Sequence, residues 1–542
     1  MGLIASISYT IIGLLIYSDV ILNGVFVFDD FDYIVSNPLI CDISSYVTTF
    51  GDLRYVVDLS FAFNYAVGGY NPFGYHLFNV IVHILNSILV FFLIGLIIET
   101  AGGKSSQRTW QATAFLTGFL FLVHPVQTQA ISFVTQRFTS LAVFFYLLSI
   151  LLYIKSRVMF EMNRIGFVKY VICILSIIST ALAVKSKETA ITIPFIMAVF
   201  ELLLFKDSVY FKKRFFFLIP HALSLILIPI SLFGPDWGLV DSRGVTEMTR
   251  LAKLHEASDL SSYEYLITQF RVIINYIGLL FLPIKQRVLY DYTASHSIFE
   301  IKVILSLCLL LLISWSAIYL WKKAKAADPQ YAPAYRLFSI GIVWFFLTLS
   351  VESSIISIRD LIFEHRVYLP SVGFFASVSA LISWLIGRKT GNSNRFTLVF
   401  FIVLLALGLP FSFTAYQRNK VWTDEVRFWT DVVEKEPRLY VFYYDRGLAY
   451  LRKNEYMPAL QDVYKVLKRY SDVINEKVPM RDTDFSLKNL ARAYVTKGQI
   501  FSRLGENDEA NVAFEHSLKI MSGSLDMKDL IRPEDAMVLS LP

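Results

Sequence analysis

Two adjacent carboxylates follow the first long apolar run of the chain. Residues 24–38, GVFVFDDFDYIVSNP, place Asp29 beside Asp30, with Asp32 two residues further on. A carboxylate within hydrogen-bond reach can accept the proton of a weak nucleophile such as a hydroxyl. One acid of the pair can also raise the pKa of the other by like-charge repulsion. A solvated acidic loop is the alternative interpretation of the same residues.

Four cations further along the chain are candidates for binding an anionic group. In order of preference they are Arg366, Lys187, Arg271 and Arg137. Arginine can bind a phosphate through two parallel hydrogen bonds, whereas lysine acts as a point charge. In the triplet EHR, Glu364 and His365 precede Arg366, so Arg366 either contacts an anion or forms a structural ion pair with Glu364.

His124, which precedes Pro125, allows three interpretations: it positions a ligand, binds a metal, or caps the end of a helix. Capping is favoured. Two aspartates and a histidine could hold Mg²⁺ or Mn²⁺ through waters, but we predict no metal or other cofactor. The sequence contains no Walker loop, dinucleotide-binding fingerprint or HExxH motif. A nucleotide-linked substrate and a nucleic-acid partner are therefore not expected.

The elements that must position these residues are membrane spans. Of the 542 residues, 55% are hydrophobic and 17% are charged, against about 25% charged in soluble domains. A span needs about 20 mainly apolar residues. We therefore predict an all-α polytopic membrane domain over residues 1–415. Its eleven spans are expected at about 3–22, 77–98, 111–123, 138–154, 168–184, 188–205, 215–233, 301–321, 336–350, 371–387 and 395–415.

A twelfth apolar run, residues 266–284, carries Gln269, Arg271 and Asn275. A central arginine that faces lipid costs about 2.5–3.5 kcal/mol on the insertion scale. We therefore predict that this run is interfacial or re-entrant and does not span.

The distribution of Lys and Arg predicts which loops face the cytoplasm. Loops 99–110, 155–167, 206–214, 322–335 and 388–394 together hold fourteen of these cations, and loops 23–76, 124–137, 185–187 and 351–370 hold six. The positive-inside rule assigns the first set to the cytoplasm. The N-terminus is then inside and the tail outside. The second set, here called the outer segments, contains Asp29, Asp30 and the other polar candidates apart from Arg271 and Glu188, which begins a predicted span.

After about residue 416 the apolar runs stop, and a helical domain is predicted over 416–542. Residues 440–470 and 491–520 each fit a helix–turn–helix repeat of the tetratricopeptide type. Residues 421–437 fit half of one repeat. Two interpretations stay open: the tail is a structural lid, or its concave surface binds a peptide partner.

Five stretches together resemble a known family. They are FVFDDFDYIVSNP (26–38), NPFGYHLFNVIVHIL (71–85), FLVHPVQTQAISFVTQR (121–137), AVKSKETAITIP (183–194) and EHRVYLPSVG (364–373), in that order and followed by the repeats. This pattern resembles the transmembrane and tetratricopeptide-repeat containing O-mannosyltransferases, which have the C-type membrane glycosyltransferase fold. Gln127, Gln129 and Gln136 depart from the animal pattern, and the repeat array is short. Both departures predict a bacterial relative in an inner membrane, with a periplasmic tail.

The resemblance implies an inverting glycosyltransferase that moves a sugar from a polyprenyl-phosphate donor to an acceptor hydroxyl on the outer face. It implies that the acidic doublet, Asp29 and Asp30, is catalytic, and that the four cations bind the donor phosphate. Protein Ser or Thr is the expected acceptor, bound through the tail. The expected substrate-positioning residues are His124, Glu188, Glu364, His365 and Tyr368. Transfer to a glycan or lipid, and a non-catalytic scaffold or transport role in the envelope, remain the alternatives.

Overall fold

The computed structural model describes residues 1–44, 54–102, 107–162, 166–205, 214–233, 260–327, 331–358, 360–390, 393–474 and 487–522. Every regular element within these ranges is a helix, which agrees with the predicted all-α class. The chain divides into two compact units. The first comprises residues 1–286 and 292–420, and the second comprises 287–291 and 421–542. Each unit is described by itself.

The first unit is a bundle of sixteen described α-helices with short 3₁₀ turns between several of them. The helices are α1 Gly2–Ile16, α2 Ser18–Asn23, α3 Tyr55–Gly68, α4 Pro72–Thr100, α5 Gln107–Val123, α6 Thr128–Ser132, α7 Arg137–Glu161, α8 Val168–Val184, α9 Ile193–Leu203, α10 Arg214–Leu223, α11 Leu227–Phe233, α12 Ser262–Phe281, α13 Ile301–Ala326, α14 Ala332–Leu349, α15 Pro370–Thr390 and α16 Ser393–Asn419.

The first unit is a multi-pass membrane domain. Among the described residues, seven helical segments are long and apolar enough to cross a membrane, or eight if one bent pair counts as a span. The segments α13 and 394–423 keep only 17% and 11% of their most apolar windows buried inside the protein. Large apolar side chains exposed along them, such as Leu311, Trp315 and Phe401, are expected of a surface that faces lipid.

Seven or eight segments are fewer than the eleven predicted spans, and the difference lies in short helices. Helix α1 has 15 residues and stops at Tyr17, and α8 has 17. The predicted span 188–205 begins as a 3₁₀ helix, Glu188–Thr192, and its α-helical part, α9, has only 11 residues. At 1.5 Å per residue, 11 residues reach about 16 Å, roughly half of a bilayer core. The number of spans therefore stays a prediction.

Residues 124–137 fold into the bundle rather than forming a solvated loop. The chain bends by 52° between α5 and the helical segment that starts at Pro125, because proline has no N–H to continue the α5 ladder. Three short helical pieces follow before α7 begins at Arg137. All but one residue of this stretch are buried. The predicted outer loop is thus a buried element that can hold other segments in place.

Small residues allow helices α14 and α15 to pack closely. A Cβ atom added to Gly341 would lie 2.3 Å from the carbonyl oxygen of Gly373 and 2.2 Å from the Ser377 hydroxyl. Only glycine fits at such a crossing, as is common between membrane helices. This contact fixes the start of α15 and the segment that precedes it, residues 360–369.

Helix α12 explains the polar residues of the run 266–284. Its Tyr265 hydroxyl donates to the carbonyl oxygen of Glu352 at 2.7 Å, and Gln269 Nε2 donates to the carbonyl oxygen of Leu361 at 3.0 Å. The backbone N–H of Phe363 donates to the Tyr276 hydroxyl at 3.0 Å. One stripe of α12 therefore binds the irregular segment 350–363.

The second unit contains two helical hairpins and a preceding helix. Its helices are α17 Glu425–Lys435, α18 Val441–Arg452, α19 Tyr456–Ile474, α20 Leu487–Leu504 and α21 Asn507–Met521. A Cβ at Gly447 would lie 3.3 Å from the carbonyl oxygen of Ala459, and one at Gly498 would lie 2.6 Å from the Phe514 ring. Small residues thus stand where the paired helices cross. The tetratricopeptide assignment itself and the peptide-binding role stay predictions.

Candidate functional site

Four predicted outer segments meet at one end of the first unit. Thr135 binds Asp30, which joins segments 124–137 and 23–76. The backbone N–H of Val56 donates to the carbonyl oxygen of Lys185 at 3.2 Å. Lys187 binds Glu352 at 2.7 Å. These contacts bring all four segments together into a surface that we call the polar face, comprising residues 24–37, 54–58, 128–136, 138–139, 185–188, 352–358, 360–363 and 365–366.

The backbone around the acidic doublet is held in a specific conformation. Phe28 has φ of +50°, in the left-handed region that bulky residues rarely adopt. Such a residue costs about 1–3 kcal/mol and persists only where its surroundings fix it. A Cβ at Gly24 would lie 2.4 Å from His76 Nε2, so the start of the segment also requires glycine. The bend at Phe28 directs Asp29 and Asp30 to different surroundings.

Asp30 is fully buried and anchors the segment to the protein. Its Oδ1 accepts hydrogen bonds from the Thr135 hydroxyl at 2.6 Å and the Thr135 N–H at 2.8 Å. Its Oδ2 accepts from the N–H of Val27 at 3.1 Å. Burial raises the pKa of Asp30 to about 7, although these donors act in the opposite direction. With three donors bound, the carboxylate of Asp30 is a structural connection between two outer segments.

Asp29 is half-buried and has a different environment. No hydrogen bond to its carboxylate is found among the described residues, so its oxygens remain available to a ligand. Burial raises the pKa of Asp29 to about 6, and repulsion from Asp360 and Asp32 adds to the rise while Arg54 opposes it. A carboxylate with a pKa just below neutrality suits a general base. Of the doublet, Asp29 therefore has the properties of a base.

Glu188 lies at the polar face in a partly exposed ion pair. Its Oε1 lies 3.4 Å from Arg54 Nη2, and the two side chains are 31% and 25% exposed. The Arg54 guanidinium also lies 4.7 Å from the centre of the Phe138 ring. Glu188 therefore pairs with the cation whose charge lowers the pKa of Asp29.

Lys187 lies between two outer segments with its ammonium group mostly buried. Its Nζ donates to Glu352 Oε1 at 2.7 Å and to the Thr139 hydroxyl at 3.1 Å. The Lys187 and Glu352 side chains are 11% and 13% exposed. An ammonium group has three N–H donors, so a third ligand can still bind.

Arg366 and His365 lie near Lys187 in the same part of the polar face. Arg366 Nη2 donates to the carbonyl oxygen of Asp360 at 2.8 Å, and its charge acts on Glu352 and Asp360. The His365 N–H donates to Gln129 Oε1 at 2.8 Å. Burial lowers the pKa of His365 well below its ordinary value, and the charges of Lys187 and Arg366 lower it further. The imidazole is therefore neutral beside two cations.

Arg137 is a structural residue and lies outside the candidate site. It is fully buried, and its guanidinium donates to Asn79 Oδ1 at 2.7 Å, to the carbonyl oxygen of Tyr75 at 3.0 Å, and to both oxygens of Ser60. The Phe78 and Phe61 rings cover its faces at 4.3 and 4.5 Å. With its donors bound to the protein, Arg137 is not retained as a phosphate ligand.

Arg271 binds a different loop. Its Nη1 donates to the Ser295 hydroxyl at 2.6 Å and to the carbonyl oxygen of Thr293 at 3.3 Å, and its guanidinium lies 5.1 Å from the Tyr292 ring centre. These contacts hold segment 292–295 on helix α12. Arg271 is therefore not part of the group around Lys187 and Arg366.

Three of the expected substrate-positioning residues are buried among protein groups. His124 caps the 3₁₀ helix that follows it, because its Nδ1 accepts the N–H of Val126 at 3.2 Å. Glu364 Oε2 accepts from Gln286 Nε2 at 2.8 Å. The Tyr368 hydroxyl lies 2.8 Å from His83 Nδ1 and accepts from Asn86 at 3.1 Å. These three stabilise the bundle beneath the polar face.

Sequence reasoning missed Glu352, Asp360 and Thr135. Glu352 and Asp360 lie outside the five quoted stretches, and Thr135 lies within one of them but has no residue type that marks it as functional. Each acts through a partner distant in sequence: Lys187 for Glu352, Asp29 for Asp360, and Asp30 for Thr135. The accumulation of polar residues in predicted outer segments was the available signal. It predicts that these segments share a surface, but it does not predict the pairs.

Within the described ranges, no group of three or more His, Cys, Asp or Glu side chains is arranged to hold a metal ion. The expectation that the protein works without a metal remains a prediction.

The fold and the site define a class: an all-α, multi-pass membrane protein with acidic and cationic groups at one end of its bundle. No family model matches the chain. Protein O-mannosyl-transferase TMTC4 of Mus musculus is 32% identical over 205 residues, covering 33% of this chain and 27% of the mouse protein. Protein O-mannosyl-transferase Tmtc3 of Drosophila melanogaster is 23% identical over 542 residues, covering 88% of this chain and 55% of the fly protein.

These matches confirm the resemblance seen in the sequence: the chain is similar in sequence to the TMTC O-mannosyltransferases. The alignments span about a quarter of the mouse relative and about half of the fly relative. A crystal structure of the Archaeoglobus fulgidus oligosaccharyltransferase with a tethered acceptor peptide matches with a TM-score of 0.40 and 13% identity, covering 77% of this chain and 55% of that chain.

Proposed function

We propose that this protein is a membrane glycosyltransferase that transfers one sugar from a polyprenyl-phosphate donor to an acceptor hydroxyl, with protein Ser or Thr as the acceptor. The observation that carries the proposal is the polar face. There Asp29, a half-buried carboxylate with a pKa raised to about 6, shares one surface with the cations Lys187 and Arg366. Such a surface suits a reaction that needs both a base and an anion site.

The location fits the physical nature of the two substrates. The donor has a lipid tail in the bilayer and a phosphate at its surface, whereas the acceptor hydroxyl arrives from water. The two can react only at a membrane surface. The polar face lies at the ends of the apolar helices α14 and α15 and next to the exposed apolar residues Ile355 and Ile356, where a lipid phosphate and a water-side hydroxyl can meet.

In the proposed reaction the acceptor hydroxyl gives its proton to Asp29 as its oxygen attacks the anomeric carbon of the sugar. A bond forms between that oxygen and the anomeric carbon. The bond between the anomeric carbon and the phosphate oxygen breaks, and the electron pair leaves with the polyprenyl phosphate. A single displacement of this kind inverts the anomeric centre. Base assistance is worth roughly 10²–10⁴-fold in rate.

The leaving phosphate gains negative charge as the bond breaks. Lys187 and Arg366 therefore stabilise the transition state more than the donor itself, which is what accelerates a reaction. Asp30 acts indirectly, because its hydrogen bonds to Thr135 and Val27 hold Asp29 in position. The chain's own groups supply the base and the charge stabilisation in this proposal, and a metal is not required.

The orientation is part of the proposal. The outer segments predicted from the Lys and Arg distribution are the ones that meet at the polar face, which supports placing that face outside the cytoplasm. Helix α16 ends there too, because Ser132 donates to Asn419 Oδ1 at 2.8 Å. We therefore propose that the tail after residue 420 lies on the same side of the membrane and recruits the acceptor protein, as in a bacterial inner membrane with a periplasmic tail.

The purified full-length protein tests this function. It is incubated with a panel of polyprenyl-phosphate hexoses and a library of Ser- and Thr-containing peptides, and the products are measured by intact mass. The expected result is the addition of one hexose to a peptide. Transfer only to glycan or lipid acceptors would contradict the proposal that protein is the acceptor. The absence of transfer from every donor would contradict the proposed enzymatic function.

A further inference from the structure

Glu352 belongs to the polar face and has no role in the reaction as proposed so far. It lies in the irregular segment 350–358 after helix α14. Its carboxylate binds Lys187 Nζ at 2.7 Å, and its backbone carbonyl accepts the Tyr265 hydroxyl at 2.7 Å. The second contact fixes the backbone, so the side chain is presented to the lysine from an immobilised position.

The Glu352 carboxylate also acts on the second cation of the site, because it lies within electrostatic range of Arg366. A carboxylate oxygen and a phosphate oxygen are equivalent partners for an ammonium or guanidinium group. The place beside Lys187 and Arg366 is therefore occupied, in this structure, by an anion that belongs to the protein.

The surroundings indicate what replaces it. Ile355 and Ile356, three and four residues beyond Glu352, are 63% and 59% exposed. An apolar surface next to an anion site fits a ligand with a phosphate head and a hydrocarbon tail. A free phosphate shares only the head.

We propose that Glu352 is an internal counter-ion, which occupies the cation site of Lys187 when no lipid phosphate is bound and is displaced when one binds. This inference rests on the proposed function, because it assigns the phosphate to that same site. Its consequence is release of the leaving group. A donor phosphodiester carries one negative charge, whereas the product monoester carries about 1.5 to 2 at neutral pH. The product would therefore be held more tightly by two cations, and the returning carboxylate of Glu352 competes it away.

The test measures binding of two probes to the full-length protein in nanodiscs of uncharged lipid: farnesyl phosphate and inorganic phosphate. Glu352→Gln removes the competing charge and keeps the shape. We expect farnesyl phosphate to bind about tenfold tighter, which corresponds to about 1.4 kcal/mol. Glu264→Gln is the matched control, because it neutralises a carboxylate that lies 2.6 Å from His296 Nδ1 and is not in contact with Lys187, and it should leave the dissociation constant unchanged. Inorganic phosphate should also bind more tightly to Glu352→Gln, but at higher concentrations than the lipid probe.

Steady-state kinetics supply a readout that a merely structural role would not produce. Glu352→Gln should lower the KM for the donor and lower kcat through slower product release, with a burst of product in the first turnover. Glu352→Asp keeps the charge but shortens the reach to Lys187, so it should show a smaller tightening. Glu352→Asp also provides the test if Glu352→Gln does not fold.

An unchanged or weaker dissociation constant in both Glu352 variants would overturn the inference. The outcome is separable from the proposed function. If the wild type transfers sugar but the Glu352 variants bind farnesyl phosphate no more tightly, the counter-ion proposal is wrong and the proposed function stands. If the variants bind more tightly but the wild type transfers no sugar, the anion site stands and the proposed function is wrong. Tightening for inorganic phosphate but not for farnesyl phosphate would contradict the lipid ligand.

Discussion

The charged clusters at the two ends of helix α7 differ in how fully their hydrogen bonds are satisfied. Arg137 begins the helix beneath the polar face, and Arg157 lies 20 residues later, about 30 Å along the helix axis. Arg157 forms a closed network, in which all three guanidinium nitrogens bind carboxylates. Its Nε and Nη2 bind the two oxygens of Glu201 at 2.5 and 3.0 Å, and its Nη1 binds the partly exposed Glu161 at 3.0 Å. The Tyr153 hydroxyl donates to Glu201 at 2.7 Å. Arg157 and Glu201 are both fully buried.

The charged groups of the polar face have fewer hydrogen-bond partners than those around Arg157. Asp29 has no hydrogen bond to its carboxylate within the described part of the chain, and Lys187 and Glu352 form an ion pair that keeps 11% and 13% exposure. A buried charge must be paired to persist, so the closed network at Arg157 is explained by stability alone. Incomplete pairing at the other end of the bundle is the feature that stability does not explain. The difference teaches that saturation of hydrogen bonds, rather than residue type, separates structural charges from those available to a ligand.

The largest effect on the rate of transfer is expected from a substitution of Asp29. Asp29→Asn removes the proposed base without removing a hydrogen bond seen in the described part of the chain, so transfer should fall by roughly 10²–10⁴-fold while the melting temperature stays unchanged. The measurement is the initial rate of transfer together with thermal unfolding. Asp32→Asn, an exposed acid in the same segment, is the control and should keep transfer within a few-fold. Full activity in Asp29→Asn would remove the catalytic assignment.

A substitution of Arg157, at the other end of helix α7, should lower stability and leave substrate binding unchanged. Arg157→Met leaves the Glu201 carboxylate buried without its cation, which costs about 3–5 kcal/mol of stability. Unfolding in mixed detergent should show this loss, and the KM for the donor in the surviving folded protein should be unchanged. Replacing Arg157 and Glu201 together by Met should recover most of the stability. A change in donor KM would show that this network reaches the active face.

A smaller effect is expected where the polar face itself is structural. Thr135→Val removes the hydroxyl that Asp30 accepts at 2.6 Å, and the loss of a hydrogen bond to a charged group costs about 1.5–3 kcal/mol. Both stability and transfer should decline, because the segment that carries Asp29 loosens. Thr135→Ser retains the hydroxyl and should restore both, and an equal loss in the serine variant would place the effect in packing rather than in this hydrogen bond.

The smallest expected effect is a change in pH dependence. Since Asp29 must be deprotonated to accept a proton, and its pKa is about 6, the rate should fall about tenfold per pH unit below that value and be level above it. Stability follows the opposite sign: a carboxyl with a pKa raised from 3.8 stabilises the fold below about pH 4 and loses that contribution as pH rises through 6. Arg54→Gln removes the cation that lowers the pKa of Asp29, so the acid limb of the rate profile should move to higher pH by a fraction of a unit. A limb that stays in place, or moves to lower pH, would show that another group controls the rate.

The sequence predicts the class of this protein and the surface of its site, but it does not predict the roles within that surface. Apolar runs give the helices, and the Lys and Arg distribution groups the outer segments that the structure brings together. Arg137 and Arg366 cannot be distinguished by residue type or local motif. Arg137 is saturated by Ser60, Tyr75 and Asn79, and these partners are defined only by the tertiary fold.

The same limit applies to the acidic doublet. Adjacent residues have the same sequence context, yet Asp30 is bound by a threonine 105 positions away and Asp29 is not. The span count differs because hydropathy detects apolar composition, whereas a 3₁₀ start such as Glu188–Thr192 and a bend such as the one at Pro125 shorten the helices that form. Glu352 gives no sequence signal at all, since a single glutamate after an apolar run has many solvated equivalents.

The most direct measurement of the central claim is a density map of the protein in nanodiscs with a bound polyprenyl-phosphate sugar. The account predicts the phosphate within hydrogen-bond distance of Lys187 Nζ, with Glu352 turned away and the anomeric carbon facing Asp29. A phosphate bound at the Arg157 end of the bundle, or at the polar face with both aspartates far from the sugar, would contradict it.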